Sequence, residues 1–423
     1  MDMHTLPPEL LIGIFKKLPG KDLASIAMTC KKFRETSLVD SIWLFRCIEE
    51  YDVGPDEIEG ANIESCRDFY TKVLYPYGHL LGVWQPQMGP YGGLVKIQVM
   101  AGILTASRYL VPPDPKVYLP LGVKKVFTIG LSEEGPAEIL CLKGNKGSHK
   151  LAIKPSPTTP NKEFTIKCCK PENHKSLRKG RINLHELRVW IQEEEGREEG
   201  DLFSHEFDHH VELLRMKYMK LNEFDCTCIY KCLDPPHRID VMPIQPGLFK
   251  GTYGGHGIEI IYLTYEENRL QGLKVTGDPN VPASKMSMEV HLDKPMFLTY
   301  EQQHTLQGLI ELDLDSVRTA PSSRDGDADA AGDTGTSRAW QPFGLPVEVH
   351  DRGMDTLRRQ TDVRLDRCTH RYFGTGLIAM PGFRDATRTP AHFIVFSEDI
   401  LGFLWLELRS LSIYSRVAEN MWT

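Results

Sequence analysis

The sequence changes character near residue 80, and no other feature constrains the fold as strongly. Upstream, apolar residues recur every three or four positions, as with Leu10, Ile14 and Phe15, a spacing typical of amphipathic helices. Downstream, short apolar segments alternate with glycine, proline and aromatic residues, as expected for strands joined by tight turns. We therefore predict an α+β protein, in which an N-terminal helical module precedes an antiparallel β-barrel-like domain.

The domain boundaries follow from this change of pattern. We predict a helical module over residues 1–51, a helical linker over 52–79 and a β-barrel-like domain over 80–423. Helical spacing returns at about 181–222, which indicates a helical insertion in the β domain. A small, polar stretch at about 313–345 has few residues able to join a core, so it predicts a disordered loop.

Composition excludes several classes of protein. The chain has 50 Lys plus Arg against 57 Asp plus Glu, so its formal charge of -7 provides no basic excess to neutralise phosphates. Its apolar runs are far shorter than the roughly 20 residues of a bilayer helix. We therefore expect no nucleic-acid partner, no membrane partner and a cytoplasmic location. Without a secretory signal, the ten cysteines indicate thiols or metal ligands rather than disulfides.

Two cysteines and two histidines have a spacing that suits a metal. Cys141-x7-His149 is followed, 18 residues later, by Cys168-x5-His174. Two sulfurs and two imidazoles match a closed tetrahedral zinc site, and a metal would order the polar sequence between them. We predict a structural zinc ion. Cys169 is an alternative ligand, and the competing interpretation makes Cys141 a strand residue with both histidines exposed.

A second motif indicates a different class of protein. His205-Glu206-Phe207-Asp208-His209 reads H-E-x-x-H, which on a helix can hold zinc with the glutamate as general base. The completing ligand of a zinc protease is missing from the sequence that follows. A zinc-dependent hydrolase is therefore an alternative hypothesis.

The first fifty residues resemble an F-box. The segment LPPELLIGIFKKLPGKDLASIAMTCKKFRETSLVDSIWLFRC (6–47) carries the leucine, proline, phenylalanine and tryptophan positions of that motif. The segments GVWQPQMGPYGGL (82–94), GLFKGTYGGHGIEI (247–260), KVTGDPNVPA (274–283) and GFLWLELRSLSIYSRV (402–417) are similar to the F-box only protein 31 family. The resemblance covers most of the chain.

This resemblance implies a non-catalytic subunit of an SCF-type cullin-RING ubiquitin ligase. Its F-box would bind the adaptor Skp1, and the family adds nuclear or centrosomal locations to the cytoplasmic one. The residues implied to contact Skp1 are Leu6, Pro7, Leu10, Ile14, Phe15 and Leu18. Periodicity alone favours the opposite interpretation, in which all six form the core of a helical cap.

The rest of the chain would capture clients. The resemblance implies that the β domain binds the C-terminal ends of client proteins, including D-type cyclins and chains ending in a carboxamide. The candidate client-binding residues are Trp84, Tyr91, Tyr253, His256, Lys274, Thr276, Asp278 and Asn280. A carboxylate at Asp278 would accept from a terminal amide, whereas Lys274 or His256 would favour a terminal carboxylate.

Two alternatives for these residues stay open. The aromatic residues are each expected in a barrel core as readily as in a pocket, and Asp278 before a proline commonly stabilises its own turn. The Gly82-Val83-Trp84 segment also suggests a small-ligand carrier with a deep apolar barrel.

Overall fold

The computed structural model describes ten stretches of the chain. They are residues 5–59, 63–112, 116–132, 135–144, 146–174, 184–195, 208–240, 242–312, 340–351 and 364–422. The side chains of the H-E-x-x-H motif and most of the predicted loop lie outside this part of the chain. The predicted loop extends too far at its C-terminal end, since residues 340–345 are described and Phe343 is buried.

Four helices form the N-terminal module. They are α1 (Pro8–Phe15), α2 (Gly20–Ala27), α3 (Lys31–Ser37) and α4 (Asp40–Tyr51). Pro8 begins α1, where its missing N–H costs no helical hydrogen bond. Phe15 and Leu23 are buried, and Trp43 Nε1 donates to Ser37 O at 2.6 Å. These buried apolar residues belong to one apolar core that continues through Tyr70 into the first barrel.

Short helical segments connect this module to the first strand. They are α5 (Pro55–Ile58), α6 (Cys66–Phe69), a π-helical turn (Tyr70–Leu74), α7 (Tyr75–Tyr77) and a 3-10 turn (Gly78–Leu80). The Tyr70 ring lies 5.2 Å from that of Trp43, and its hydroxyl donates to Glu50 at 2.5 Å. Gly102 N donates to Glu57 O at 2.8 Å. The linker segment thus contacts both the helices before it and the β region after it.

Eight antiparallel strands form a closed first barrel. They are β1 (Gly82–Pro86), β2 (Leu94–Met100), β3 (Ile103–Leu110), β4 (Gly122–Gly130), β5 (Glu138–Cys141), β6 (His149–Pro155), β7 (Glu163–Cys168) and β8 (Thr227–Leu233). Pairing of β8 with β1 closes the barrel. Aromatic rings fill its interior: Trp84 lies 4.7 Å from Phe164, which stacks on Tyr230 at 4.8 Å. This filling disfavours a small-ligand carrier.

Two helices are inserted between β7 and β8. They are α8 (Leu184–Glu195) and α9 (Asp208–Glu223), within the stretch where helical spacing predicted an insertion. The rings of Trp190 and Tyr218 pack 5.3 Å apart and join the two helices. Leu214 is also buried, and it belongs to the same apolar core as the first barrel.

A second, larger sheet follows. Its strands and those beside it are β9 (Gly247–Thr252), β10 (Ile258–Glu266), β11 (Arg269–Lys274), β12 (Met286–Pro295), β13 (Gln341–Pro342), β14 (His350–Asp351), β15 (Arg367–Cys368), β16 (His370–Met380), β17 (Arg384–Val395), β18 (Ile400–Trp405) and β19 (Ser410–Arg416). Helix α10 (Leu306–Ile310) lies between β12 and β13. Pairing of β19 with β9 closes eight of these strands into a second barrel, while β13 and β15 pair separately.

The predicted α+β class is confirmed, but the single β-barrel-like domain is in fact two barrels. The difference arises because β8 pairs with β1 and does not continue the sheet into β9. The local sequence pattern predicts strands, but it does not specify which distant strands pair.

Two further observations bear on earlier expectations. None of the described helices is both long and apolar enough to cross a membrane. All ten cysteines are free of disulfides, as the composition indicated.

Candidate functional sites

The four predicted metal ligands meet at one end of the first barrel. Cys141 ends β5 and faces His149, which begins β6, while Cys168 ends β7 and His174 follows a short 3-10 turn. Their ligand atoms all lie within 4.8 Å of one another, and all four residues are buried. The His174 Nε2 atom is 2.9 Å from His149 Nε2 and 3.1 Å from Cys168 Sγ. The structure therefore brings together the set that spacing predicted.

The charges in this cluster favour a bound cation. The Cys168 thiol donates toward Cys141 and holds the pKa of Cys141 well below its usual value, although burial acts the other way. The same contact raises the pKa of Cys168. The Asp225 carboxylate lies 3.3 Å from His174 Nδ1 and raises the pKa of His174 to about 9. A metal ion would displace the protons that these groups now share.

The donor set fits a zinc ion. Thiolates and imidazoles are the ligands of closed structural zinc sites, and Asp225 supplies the carboxylate that commonly orients a ligating histidine from behind. Cys169, the alternative ligand, is exposed and is not a member of the cluster. The competing interpretation with exposed histidines is wrong, because His149 and His174 are both buried.

A second cluster of ionisable groups lies inside the second barrel. Lys274 Nζ is 2.7 Å from Asp278 Oδ2 and 2.5 Å from Glu259 Oε2, and its side chain is 1% exposed. The ammonium group also lies 4.4 Å from the centre of the Tyr253 ring. Because β11 ends at Lys274 and β10 carries Glu259, the sheet itself places the two charges side by side. We refer to Glu259, Lys274 and Asp278 as the buried ion cluster.

Burial and proximity set the charge of each member. Burial opposes ionisation of Asp278, but the Lys274 ammonium, a hydrogen bond with Glu259 and the nearby His256 together outweigh it and lower the pKa of Asp278 to about 2. Burial raises the pKa of Glu259 far above its usual value, despite the nearby lysine. Burial also opposes the charge on Lys274, yet Glu259 and the other neighbours raise the pKa of Lys274 overall. Lys274 and Asp278 therefore form an ionised pair, beside a Glu259 carboxyl group whose ionisation burial disfavours.

Asp278 also builds the turn on which it lies. Its Oδ1 accepts from the backbone N–H of Asn280 at 2.6 Å and of Val281 at 3.0 Å. Asn280 Nδ2 in turn donates to Ala379 O at 3.0 Å, which fixes the turn against β16. The turn-stabilising interpretation of Asp278 is therefore correct, and it is compatible with a role in a pocket.

The first barrel supports this turn directly. Gly277 N donates to Tyr91 O at 3.0 Å, Ala283 N to Pro90 O at 2.8 Å, and Gly92 forms an isolated bridge with Thr276. Gly92 has φ +58°, and a Cβ there would lie 2.4 Å from Val275 O. The close approach of the two barrels therefore requires glycine at position 92.

Two adjoining cavities lie on either side of Asp278. The terminal pocket opens into the second barrel, and the inter-barrel cleft lies between the barrels and α9. Tyr253, His256, Lys274, Asp278 and Asn280 line the terminal pocket. Tyr91, His256, Thr276 and Asp278 line the inter-barrel cleft. Seven of the eight predicted client-binding residues thus line one cavity or the other.

Trp84 and Thr276 differ from expectation. Trp84 is buried in the first barrel, where Nε1 donates to Leu80 O at 2.7 Å, so its assignment to a client pocket is wrong. Thr276 Oγ1 accepts from Ile260 N at 2.7 Å. Its side chain is therefore hydrogen-bonded to the backbone of β10 and does not extend in the same direction as Lys274 and Asp278. The backbone leaves β11 after Lys274, so the three residues do not lie on one strand.

Glu259 was not predicted from the sequence. It lies in the apolar segment IEIIYLTYE of β10, and a carboxylate inside a buried strand is a signal that it needs a partner. Lys217 of α9, which lines the inter-barrel cleft, was also missed. Nothing in its local sequence distinguishes it from other surface lysines.

The helical module exposes part of α1. Leu10 is 56% exposed and Ile14 38%, and Pro7 is exposed, while Leu6 and Leu18 are half-buried. Phe15 is 0% exposed and packs 5.7 Å from the Phe33 ring, so its predicted contact with Skp1 is wrong for this conformation. The structure adds Met28, Leu38 and Tyr75, three exposed apolar side chains around one concave surface. The module thus offers apolar surface to a partner.

Comparison with known proteins identifies the family. An F-box-like model matches residues 3–49, and a model described as a cyclin D1 binding domain matches residues 230–421. Mouse F-box only protein 31 is 40% identical over 97% of this chain and 84% of its own length. The chain belongs to the F-box only protein 31 family. Human F-box only protein 31 is 38% identical over 97% of the chain and 82% of its length. Xenopus laevis F-box only protein 31-B is 37% identical over 98% and 83%.

The two family models match separate parts of this F-box only protein 31 family member. The F-box-like match coincides with α1 to α4. The cyclin D1 binding match begins in β8 and covers the second barrel, so it contains the buried ion cluster but excludes the four metal ligands. The predicted family is therefore confirmed.

Proposed function

We propose that this protein is the substrate receptor of an SCF ubiquitin ligase, with no catalytic role of its own. The F-box would dock on Skp1 and thereby on a cullin-RING ligase, and the second barrel would hold the C-terminal end of a client for ubiquitination. Family membership and the cyclin D1 binding match support the receptor role and make D-type cyclins candidate clients. We propose that it acts in the cytoplasm, and also in the nucleus or at the centrosome.

The exposed face of α1 supports docking on Skp1. Leu10 and Ile14 project from one helix face while Leu11 and Phe15 anchor the opposite face in the core. An apolar helix face that the chain leaves uncovered suits the groove of a helical partner.

The buried ion cluster is the single observation on which the proposed binding of a client's C-terminal end rests. An ionised carboxylate has about four acceptor sites. At Asp278 two backbone N–H groups and Lys274 take three, and Glu259 hydrogen-bonds to the same carboxylate, so an incoming N–H donor would replace Glu259. The donors of Lys274 face Glu259, Asp278 and the Tyr253 ring. The terminal pocket therefore suits a neutral end group that donates N–H, such as a terminal carboxamide, better than a carboxylate.

Zinc would act in the first barrel as a structural ion. Cys141, His149, Cys168 and His174 would hold it, and it would cross-link the ends of β5, β6 and β7 to the segment after β7. The bound ion supplies folding free energy, with no catalytic step assigned to it. The zinc-dependent hydrolase alternative gains no support, because the side chains of its motif lie outside the described residues.

The Skp1 interaction is tested by co-expression. The wild-type chain should copurify with Skp1, whereas Leu10→Arg should not, because a charge replaces an apolar contact. Val123→Arg, at an exposed position of the first barrel, is the matched control and should copurify normally. Undiminished recovery of Skp1 with Leu10→Arg would remove α1 from the interface.

The end-group preference is tested with matched peptides that end in carboxamide or carboxylate. Wild type should bind the carboxamide about tenfold more tightly, the effect of one hydrogen bond to a charged group. Asp278→Asn should lose this preference, whereas Asp385→Asn, an exposed carboxylate in β17, should keep it. If wild type binds both peptides with equal affinity, Asp278 does not discriminate between the two end groups.

A further inference from the structure

The inter-barrel cleft contains charged side chains that capture of a chain end does not use. Its walls come from the first barrel, from α9 and from the second barrel. The charged or titratable groups that line it, tyrosines aside, are Arg108, Lys217, His256, Glu259 and Asp278. Leu213, Leu214 and Val111 add apolar surface between them. The cleft is thus amphipathic, as a groove for a peptide should be.

The two acidic groups do not make the cleft negative. Asp278 is paired with Lys274 at 2.7 Å, and Glu259 lies 2.5 Å from the same ammonium in a setting that disfavours its ionisation. Lys217, by contrast, is half-buried and forms no ion pair or hydrogen bond within the described part of the chain. The cleft therefore has a positive charge available to a ligand.

The cleft adjoins the terminal pocket. His256 and Asp278 line both cavities, so a chain whose end occupies the terminal pocket has the cleft as a neighbouring groove for the residues before that end. Because both cavities share the walls formed by His256 and Asp278, a chain end in the terminal pocket places the residues just before it beside the cleft. A lysine that is partly desolvated beside such a path would discriminate between acidic and neutral side chains.

We propose that the inter-barrel cleft recognises an acidic side chain located a few residues before the C-terminal end of the client, and that Lys217 is the residue that determines this preference. The inference rests on the proposed capture of chain ends. It assigns a second specificity site to α9, which lies outside the region matched by the cyclin D1 binding model.

The test uses fluorescent peptides with one common end and a single glutamate placed in turn at the second to sixth position before it. Matched peptides carry glutamine instead, and binding to the full chain is measured by anisotropy. Wild type should bind the glutamate peptide about 3–10-fold more tightly at one position, and high salt should reduce the difference. Lys217→Met should lose the difference. Lys220→Met should keep it, because Lys220 is exposed, pairs with Glu223 and does not line the cleft.

A charge swap separates a direct contact from a folding defect. Lys217→Glu should prefer a lysine at the position where wild type prefers glutamate. A glutamate preference that survives Lys217→Met, or equal binding of all glutamate and glutamine peptides by wild type, would overturn this inference while leaving chain-end capture intact. If wild type binds none of the peptides, whatever their end group, the proposed function itself fails.

Discussion

The two barrels have the same number of strands in their closed rings but fill their interiors differently. The first barrel packs Trp84, Phe164 and Tyr230 against one another and keeps its polar ligands in a cluster at one end. The second barrel places a lysine and two acidic residues inside, beside a cavity. Under the proposed function, the first barrel would support the second, and the second would bind the client at the cost of burying charge.

Loss of a metal ligand should have the largest effect, and it should fall on the first barrel. Cys168→Ser should abolish stoichiometric zinc and lower the free energy of unfolding by several kcal/mol, since structural zinc binding is worth about 10–16 kcal/mol in zinc-finger peptides. Zinc content by mass spectrometry and thermal unfolding measure both effects. Cys169→Ser, at the exposed neighbouring position, is the control. Full zinc retention in Cys168→Ser would show that the cluster is not a zinc site.

Removal of the buried cation should have the next largest effect, now on the second barrel. Lys274→Met leaves Asp278 buried without its counter-ion, which costs about 3–5 kcal/mol. Denaturant unfolding should show this loss, and zinc content should stay at the wild-type level. The exposed Lys285→Met provides the comparison and should be close to neutral. A Lys274→Met protein as stable as wild type would show that the ion cluster carries no structural charge.

Acid should destabilise the second barrel by less than the Lys274→Met change does, and this effect should depend on Asp278. Because its folded pKa is about 2, lower than its ordinary value of 3.8, ionised Asp278 stabilises the fold above the unfolded pKa, and this contribution disappears as pH falls through about 2. The contribution at pH 7 is about 2 kcal/mol. Unfolding of wild type and Asp278→Asn from pH 7 to pH 2 should therefore converge at low pH. Parallel curves over this range would contradict the lowered pKa.

A matched pair of tryptophan substitutions should give the smallest effects and the sharpest contrast. Trp84 Nε1 donates to Leu80 O at 2.7 Å, and Trp405 Nε1 donates to Ser412 Oγ at 3.0 Å in the wall of the terminal pocket. Each change to phenylalanine should cost about 1 kcal/mol of stability for the lost hydrogen bond. Only Trp405→Phe should also change peptide affinity. Equal loss of affinity in both variants would argue against the division between the barrels.

The parts of the molecule that local chemistry determines could be predicted from sequence. Four ligands of one metal need compatible side chains at suitable spacing, so the cluster of Cys141, His149, Cys168 and His174 was predictable. Asp278 lies in an Asp-Pro-Asn segment, whose turn propensity placed it correctly beside a strand end.

Features that depend on distant pairing could not be predicted in this way. Phe15 and Leu10 have the same apolar character, and only packing against Phe33 decides which is buried. Trp84 was misplaced because its neighbours Phe164 and Tyr230 come from strands far along the chain. Closure of two barrels instead of one likewise depends on which edge β8 pairs with.

The bridge between Gly92 and Thr276 joins the two barrels, and the ribosome synthesises the first barrel before the second. Residues 82–233 leave the ribosome before the segment that carries Lys274 and Asp278, and domains generally fold as units during synthesis. The later turn must then settle on a surface that the earlier barrel has already formed. A chain whose first barrel had not folded would lack the Tyr91 and Pro90 carbonyl groups that hold this turn, so the proposed capture of a client would require both barrels.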